Sequence, residues 1–428
     1  MLWFASGMRR LLFLARAGLV SPARTPRRAV VLGRLLGGAF LLCFATGLVS
    51  HFIQHPAAWM GFPNQPFWIY QLNQGVHVAT GILCIPLILG KLWTVYPDLF
   101  SYPPVRSIGQ LLERGSIAVF VGSSLLQLVI GVLNIFQFLP LPFYFLQVHY
   151  ALSFVIIGSL AIHIGVKLPV ISRHWRRGRP EGVLEAYLDD EDDTERSHRQ
   201  DDRLDPTYAS PTRGLTGRVM TFIDSTPPPP AKVSRRTVIA AVGLSAVTLV
   251  GTTVGQTLTP LDSVNFFGPR KKGDGPQGVP INRTSKQADV RTSALDPAWV
   301  LTVVGAADRR VLDLAALRAM PQTTVRLPIA CVEGWSQMAN WRGVRLAELI
   351  ALVGESDVPV RLRSLEERGP YKTTTMDANF VSDPTTLVAL ELNGETLDLE
   401  HGYPARIIAP GRPGVLQTKW LSIVEVIR

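Results

Sequence analysis

The stretch Leu327-Pro328-Ile329-Ala330-Cys331-Val332-Glu333-Gly334-Trp335-Ser336 is the place from which this chain is best read. Residues 323–331 have the β-branched and apolar character of a strand, so the thiol is expected at a strand's end. The 428 residues hold three cysteines, and two of them, Cys43 and Cys84, fall inside apolar runs. Cys331 therefore stands alone in the polar C-terminal part, where no disulfide framework can form. An isolated cysteine is more often a small core hydrophobe than a ligand, so its neighbours must decide its role.

Around that stretch, further strands are expected at 300–304, 360–364, 387–392, 406–409 and 421–427, with helices at 312–320 and 344–353. This order predicts an α+β domain over residues 291–428, roughly 140 residues and a usual size for one core.

Toward the N-terminus the character changes. Hydrophobic residues make up 47% of the chain, too many for an ordinary soluble enzyme. Apolar stretches of spanning length run over 35–53, 75–96, 116–139, 148–170 and 237–258, which predicts five membrane spans. Arg9, Arg10, Arg27 and Arg28 precede the first, Arg106 and Arg114 lie in the second loop, and Arg173, Arg176, Arg177 and Arg179 follow the fourth. The first and third loops, 54–73 and 140–147, hold no charged side chain apart from a titratable His55. Positive-inside asymmetry then places the N-terminus in the cytoplasm of a bacterial cell and everything after residue 258 outside its cytoplasmic membrane. The net charge of +10 belongs to this topology. The basic residues are not interleaved with aromatics along a stripe, so nucleic-acid binding is excluded.

The expected organisation is a basic cytoplasmic arm (1–34), a four-helix membrane domain (35–171), a disordered charged linker (172–233), an anchor helix (234–258), an external linker (259–290) rich in Gly, Pro and Lys, and the α+β domain (291–428). Ser234-Arg235-Arg236-Thr237-Val238-Ile239, just before the fifth span, is similar to a twin-arginine signal, which implies a translocase partner that carries folded cargo. Arginines at a membrane border also serve plain topology. With no small-residue cleavage site after Leu258, the segment is expected to stay as an anchor.

The Cys331 stretch, with Trp341-Arg342-Gly343-Val344 after it, resembles the molybdenum-cysteine segment of the sulfite oxidase superfamily. Gly369-Pro370-Tyr371-Lys372, Leu392-Asn393-Gly394, His401-Gly402-Tyr403-Pro404-Ala405-Arg406, Gly411 to Gly414 and Lys419-Trp420 resemble its cofactor-binding half in the same order. The resemblance implies a molybdenum–molybdopterin cofactor with Cys331 as metal ligand and catalytic residue. It also implies that His401, Arg406 and Lys419 grip the pterin and its phosphate, with Trp335, Ser336 and Tyr371 beside them. A soft thiolate suits a high-valent metal, and phosphate suits Arg forks and Lys charges.

Sulfite oxidases carry an Arg in the strand occupied here by 299–302 and basic residues where this chain has 332–336, so anion-binding charge is missing twice. The family's catalytic tyrosine and immunoglobulin-like second domain are not expected. The Cys-Val-Glu-x-Trp-Ser wording is closer to the periplasmic methionine-sulfoxide reductase branch, whose catalytic subunit works with a haem-bearing membrane subunit.

Ionisable side chains inside membrane spans are rare and usually functional, which singles out His51, His77, His149 and His163. His149 and His163, 14 residues apart on one span, are separated by about 21 Å of helix rise and share a face. That spacing resembles dihaem cytochrome b subunits. His77 with His149 is the leading haem b pair, with His51 as rival ligand and His163 as ligand of a second haem or partner in a helix–helix hydrogen bond. The chain is thus expected to be a molybdopterin-dependent oxidoreductase in the lipid bilayer. It would exchange electrons between the quinone pool, haem b and an external small-molecule substrate, a sulfoxide or similar oxide. The alternatives are a sulfite-type dehydrogenase feeding the membrane, or a non-enzymatic cytochrome b with a degenerate binding domain.

Overall fold

The computed structural model describes residues 24–57, 59–97, 105, 107–138, 145–175, 235–254, 259–268 and 270–428. Most of the expected basic arm, and the charged linker from residue 176 onward, lie outside the described residues.

Five helices among the described residues are long and apolar enough to cross a membrane. They are α1 (Pro26–Gln54), α2 (Ile69–Val95), α3 (Ile108–Ile135), α4 (Phe145–Arg173) and α5 (Arg235–Val254). All five start before the apolar windows expected from sequence. In α1 the cause is visible: Pro26 sits at the first helical position, where its missing N–H costs nothing, and Thr25 O accepts from Arg28 N and Ala29 N. The chain divides into two compact units, one of residues 1–41, 83–131 and 140–247, the other of residues 42–82, 132–139 and 248–428.

In the first unit Leu36 and Phe40 of α1, Leu87 and Ile88 of α2, Phe120 of α3, and Ile156 and Leu160 of α4 make one apolar cluster. Two lysines beside it are paired locally. Lys91 donates to the Ala29 carbonyl and Lys167 pairs with Glu113 at 2.6 Å.

The second unit contains two five-stranded sheets. One has the order β2 (Arg309–Asp313), β1 (Val300–Val304), β10 (Leu421–Val426), β5 (Val360–Ser364), β6 (Thr373–Met376). Only β1 and β10 run parallel in it, which ties the end of the chain to the domain's first strand. The other has the order β3 (Thr323–Ala330), β4 (Ser336–Arg345), β7 (Leu387–Leu392), β8 (Glu395–Thr396), with β9 (Arg406–Ile408) also paired to β7. Leu301, Val303, Leu362, Leu421 and Val424 of the first sheet pack with Val344, Val388, Leu390 and Ile407 of the second in one buried core.

The structure adds strands the sequence does not announce, β2, β4, β6 and β8, and differs from the expectation in three further places. Val344 and Arg345 end β4 and do not open a helix; the helix is Leu346–Ala351. Leu312 and Asp313 belong to β2, because Asp313 accepts from Ala316 N and caps the helix Leu314–Ala319 behind it. The segment 276–290, expected as linker, packs into the domain: Val279 and Val290 are fully buried and Thr284 makes a capping box with Gln287.

Candidate active site

Cys331 follows β3 directly, where the chain turns into β4. The turn is closed by Cys331 N donating to Trp335 O at 2.8 Å and Gly334 N donating to Cys331 O at 3.1 Å. Gly334 has φ +92°, a conformation an L side chain rarely adopts. Inside the turn, Trp335 Nε1 donates to Glu333 Oε2 at 2.9 Å, and Arg270 Nε lies 3.8 Å from the same oxygen. Burial raises the Glu333 carboxyl to about 7, against the pull of Arg270. Burial and then the Glu333 charge push the Cys331 thiol well above its usual range, while Asn282 Nδ2 donates to its sulfur at 3.5 Å.

A narrow cavity joins this thiol to the polar residues expected from sequence. Cys331, Trp335 and Asn282 line it together with His401, Arg406 and Lys419. His401 ends the single turn Leu399–His401, which Asp398 caps and Gly402 terminates at φ +110°. A Cβ on Gly402 would come within 3.1 Å of the Cβ atoms of both Arg406 and Lys419, so their convergence requires glycine there. Arg406 opens β9, paired with Ala389. Lys419 is oriented by Trp420, which adopts φ +50° and is pinned through Nε1 to Leu399 O at 2.8 Å.

These residues form a cationic cluster held by carbonyl oxygens. Arg406, almost fully buried, donates to His401 O at 3.0 Å and Gln417 O at 3.3 Å, and its Nε has no hydrogen-bond partner. Lys419 donates to Arg283 O at 2.9 Å and Glu400 O at 2.7 Å. The Glu400 carboxylate is itself engaged by Ser285 N and Oγ. His401 Nε2 lies 2.7 Å from Pro276 O, and because a carbonyl only accepts, that nitrogen carries the proton. Burial, reinforced by Arg406 and Lys419, holds the imidazole down at about 4, so it is neutral. Burial likewise lowers Arg406 to about 9 and, with Arg406 beside it, Lys419 to about 7. A cluster of cations with an unused buried donor and no bonded carboxylate fits a phosphate-bearing ligand. A thiol lining the same cavity fits a metal that such a ligand presents. Cys331, His401, Arg406 and Lys419 thus suit a molybdopterin cofactor, which supplies a metal able to exchange an oxygen atom and two electrons.

Trp335 reaches this cavity. Ser336, paired with Ala330, has a buried hydroxyl with no partner, and Tyr371 donates to Gln54 Oε1 at 3.4 Å. Neither lines the cavity, although the Cys331 charge, after burial, raises the Tyr371 phenol. Asn282 and Arg283 escaped notice because their Gly- and Pro-rich surroundings have the composition of a spacer.

Among the helices, His77 and His149 occupy positions left open by glycines. A Cβ on Gly47 would lie 2.7 Å from His77 Cε1, and one on Gly131 would lie 3.4 Å from His149 Cε1. His77 Nδ1 is 2.9 Å from the Cys43 carbonyl, so Nδ1 donates and the ring's lone pair is on Nε2. His51 is tilted against His55, with ring centres 5.2 Å apart. His163 stacks on Phe120 at 5.6 Å and 22°, and its Nδ1 has no hydrogen-bond partner.

Residues 287–428 match the model of the oxidoreductase molybdopterin binding domain. This third of the chain is an oxidoreductase domain. The chain is 30% identical over 152 residues to a sulfite oxidase of Arabidopsis thaliana, covering 28% of this chain and 39% of the relative. It is 29% identical over 119 residues to a putative protein-methionine-sulfoxide reductase subunit YedZ1 of Azospira oryzae, covering 28% and 45%. It is 26% identical over 147 residues to the protein-methionine-sulfoxide reductase catalytic subunit MsrP of Gluconobacter oxydans, covering 30% and 47%. The chain therefore spans less than half the length of each of these three relatives.

Proposed function

We propose that the chain is a membrane-held, molybdopterin-dependent reductase that takes electrons from the quinone pool through haem b and reduces an uncharged oxide, such as a sulfoxide, outside the cytoplasmic membrane. The observation that carries this reading is the single cavity lined by the Cys331 thiol and by the neutral His401, Arg406 and Lys419. Thiol and cations divide the work: the first serves the reacting metal, the second retain the cofactor.

Three features support the remainder. The chain is similar to a named catalytic subunit and to a putative further subunit of methionine-sulfoxide reductases, which favours a substrate of that class. His77 donates through Nδ1 to the Cys43 carbonyl, which orients its ring as outer partners orient metal-binding histidines. Five apolar helices, with Arg235 and Arg236 opening the fifth, suit insertion and export of a folded cofactor domain through the twin-arginine translocase. An uncharged substrate is favoured because residues 332–336 beside the thiol carry no basic side chain, and Arg270, the cation nearest the turn, faces Glu333.

The test is to purify the full chain, measure molybdenum and haem, and assay oxide-dependent reoxidation of the reduced haem. Cys331→Ser should keep pterin and haem and lose turnover, because a hydroxyl donates poorly to the metal. Wild-type turnover in that variant would end this reading.

A further inference from the structure

Besides the cavity that it lines, the Cys331 turn meets the end of α1, the start of α2 and the loop between them. Gln74 Nε2 donates to the Val332 carbonyl, one residue from the thiol. A Cβ on Gly334 would fall 2.7 Å from Val78 Cγ2, so the backbone of the turn lies against α2. Phe67, just before α2, packs on the apolar cluster that contains Cys331, Trp335 and Trp341. Tyr70, 1% exposed, lies within electrostatic reach of both Cys331 and Tyr371.

The same stretch is fastened to the domain at further points. Asn64 Nδ2 donates to Asp383 Oδ2 at 2.7 Å and to Asn379 O at 3.0 Å, and Asn379 Nδ2 donates back to Phe62 O at 3.0 Å. Tyr371 donates to Gln54 Oε1 at 3.4 Å. Gly411, at φ +66°, is where the loop comes closest: a Cβ there would lie 2.8 Å from Asn64 O. Gly411 opens the segment in which Pro413 bridges to Ala330 and Gly414 lines the Cys331 cavity, so the loop bears on a wall of that cavity. The Gln74 amide is itself oriented, because its Oε1 accepts from Ser50 Oγ at 2.8 Å and both residues are buried.

We infer that the face of the molybdopterin-binding domain that holds the Cys331 turn is a docking surface for the α1–α2 end of the same chain, and that this docked end is a closing wall of the site, lifting to let small solutes reach the thiol. Closure needs neither haem nor molybdenum, since every contact joins two parts of this chain. A wall of this kind keeps water from a site and strengthens the electrostatics inside it. Its polar contacts are hydrogen bonds and none is an ion pair, so each shifts the balance of open and closed forms by roughly two- to tenfold. The wall is firm while all of them act together and yields when a few are removed. Pro56, Pro63 and Pro66 stiffen the loop, which favours lifting as a unit over local fraying.

Hydrogen exchange of the full-length protein in lipid nanodiscs tests this, with Asn64→Ala and Asn379→Ala releasing the loop from opposite sides of the contact. Neither residue lines the Cys331 cavity. The amides of Cys331 and Gly334, which close the turn, report on the wall, and the paired strands β1 and β10 report on the domain as a whole. Asn64→Ala removes two hydrogen bonds and should speed exchange at 331–336 about tenfold or more, while Asn379→Ala removes one and should speed it several-fold. In both variants β1 and β10 should keep their wild-type protection. In parallel, cofactor-free full-length protein is treated with iodoacetamide, and alkylation is located by mass spectrometry so that Cys43 and Cys84 are told apart from Cys331. Alkylation of Cys331 should accelerate in the same order as the exchange. Wild-type exchange and alkylation in both variants would overturn the inference, and so would an acceleration shared by β1 and β10, which marks unfolding of the whole domain.

Discussion

Arg406→Met separates cofactor binding from folding, because binding loses a phosphate contact with that side chain while opposing contributions leave folding nearly unchanged. Burial alone holds the guanidinium down from the ordinary 12.5 to about 9. At about 1.4 kcal/mol per factor of ten, an uncompensated charge at that position costs the cofactor-free domain on the order of 5 kcal/mol at neutral pH. Methionine removes this cost and keeps much of the volume, but it leaves the carbonyls of His401 and Gln417 without their donor, a loss of roughly 1 to 3 kcal/mol each. The contributions nearly cancel, so the cofactor-free variant should melt within a few degrees of cofactor-free wild type, as buried-charge replacements by apolar residues often do. Loaded protein should behave differently. A phosphate that meets Arg406 through one charge-assisted bond loses about 1.5 to 3 kcal/mol with it, which is a roughly tenfold to hundredfold weaker grip. The assay is molybdenum and pterin per polypeptide in both proteins, beside thermal melts of both made in a cofactor-deficient host. Wild-type occupancy in Arg406→Met would refute a phosphate role. A collapse of the cofactor-free variant would show that Arg406 is a structural residue.

Lys419, held at about 7 mainly by burial, gives a pH signature. Below that value folded and unfolded chains are both protonated there; between about 7 and the ordinary 10.5 only the unfolded chain binds the proton, so stability of the cofactor-free protein should rise with pH across that window. Lys419→Met should flatten the rise, and an unchanged slope in melts from pH 6 to 10 would show that another group is responsible. His77→Ala and His149→Ala should each abolish the b-type haem absorption, whereas His163→Ala, whose ring stacks on Phe120, should keep it. Full haem in both of the first two variants would remove the proposed ligand pair.

Cys331, His401, Arg406 and Lys419 were legible because each sits in a short local motif whose spacing survives on the linear chain, and the cavity gathers all four. The second sheet was half-legible. β3 ends in the apolar run Leu327–Ala330 and β7 is nearly all apolar, but β4 carries Gln337, Asn340, Arg342 and Arg345 among its buried residues, so neither strict alternation throughout nor an apolar run announces it. It is a strand because β3 and β7 pair with both of its edges, which is a tertiary cause. Asn282 and Arg283 were hidden by composition in the same way. The contact of Gln74 with Val332 spans 258 residues of sequence, and no local pattern encodes such a pairing. What the sequence did carry was its thermodynamic trace: a glutamine in an apolar helix must find a partner, since an amide left unbonded there is costly. Ser50 satisfies the Gln74 oxygen from a neighbouring helix, and the nitrogen is left to reach the backbone beside the thiol. An amide in a spanning helix, together with a glycine three residues past a candidate metal-binding cysteine, is therefore a pattern that could be sought in other chains where apolar helices precede a molybdopterin-binding domain.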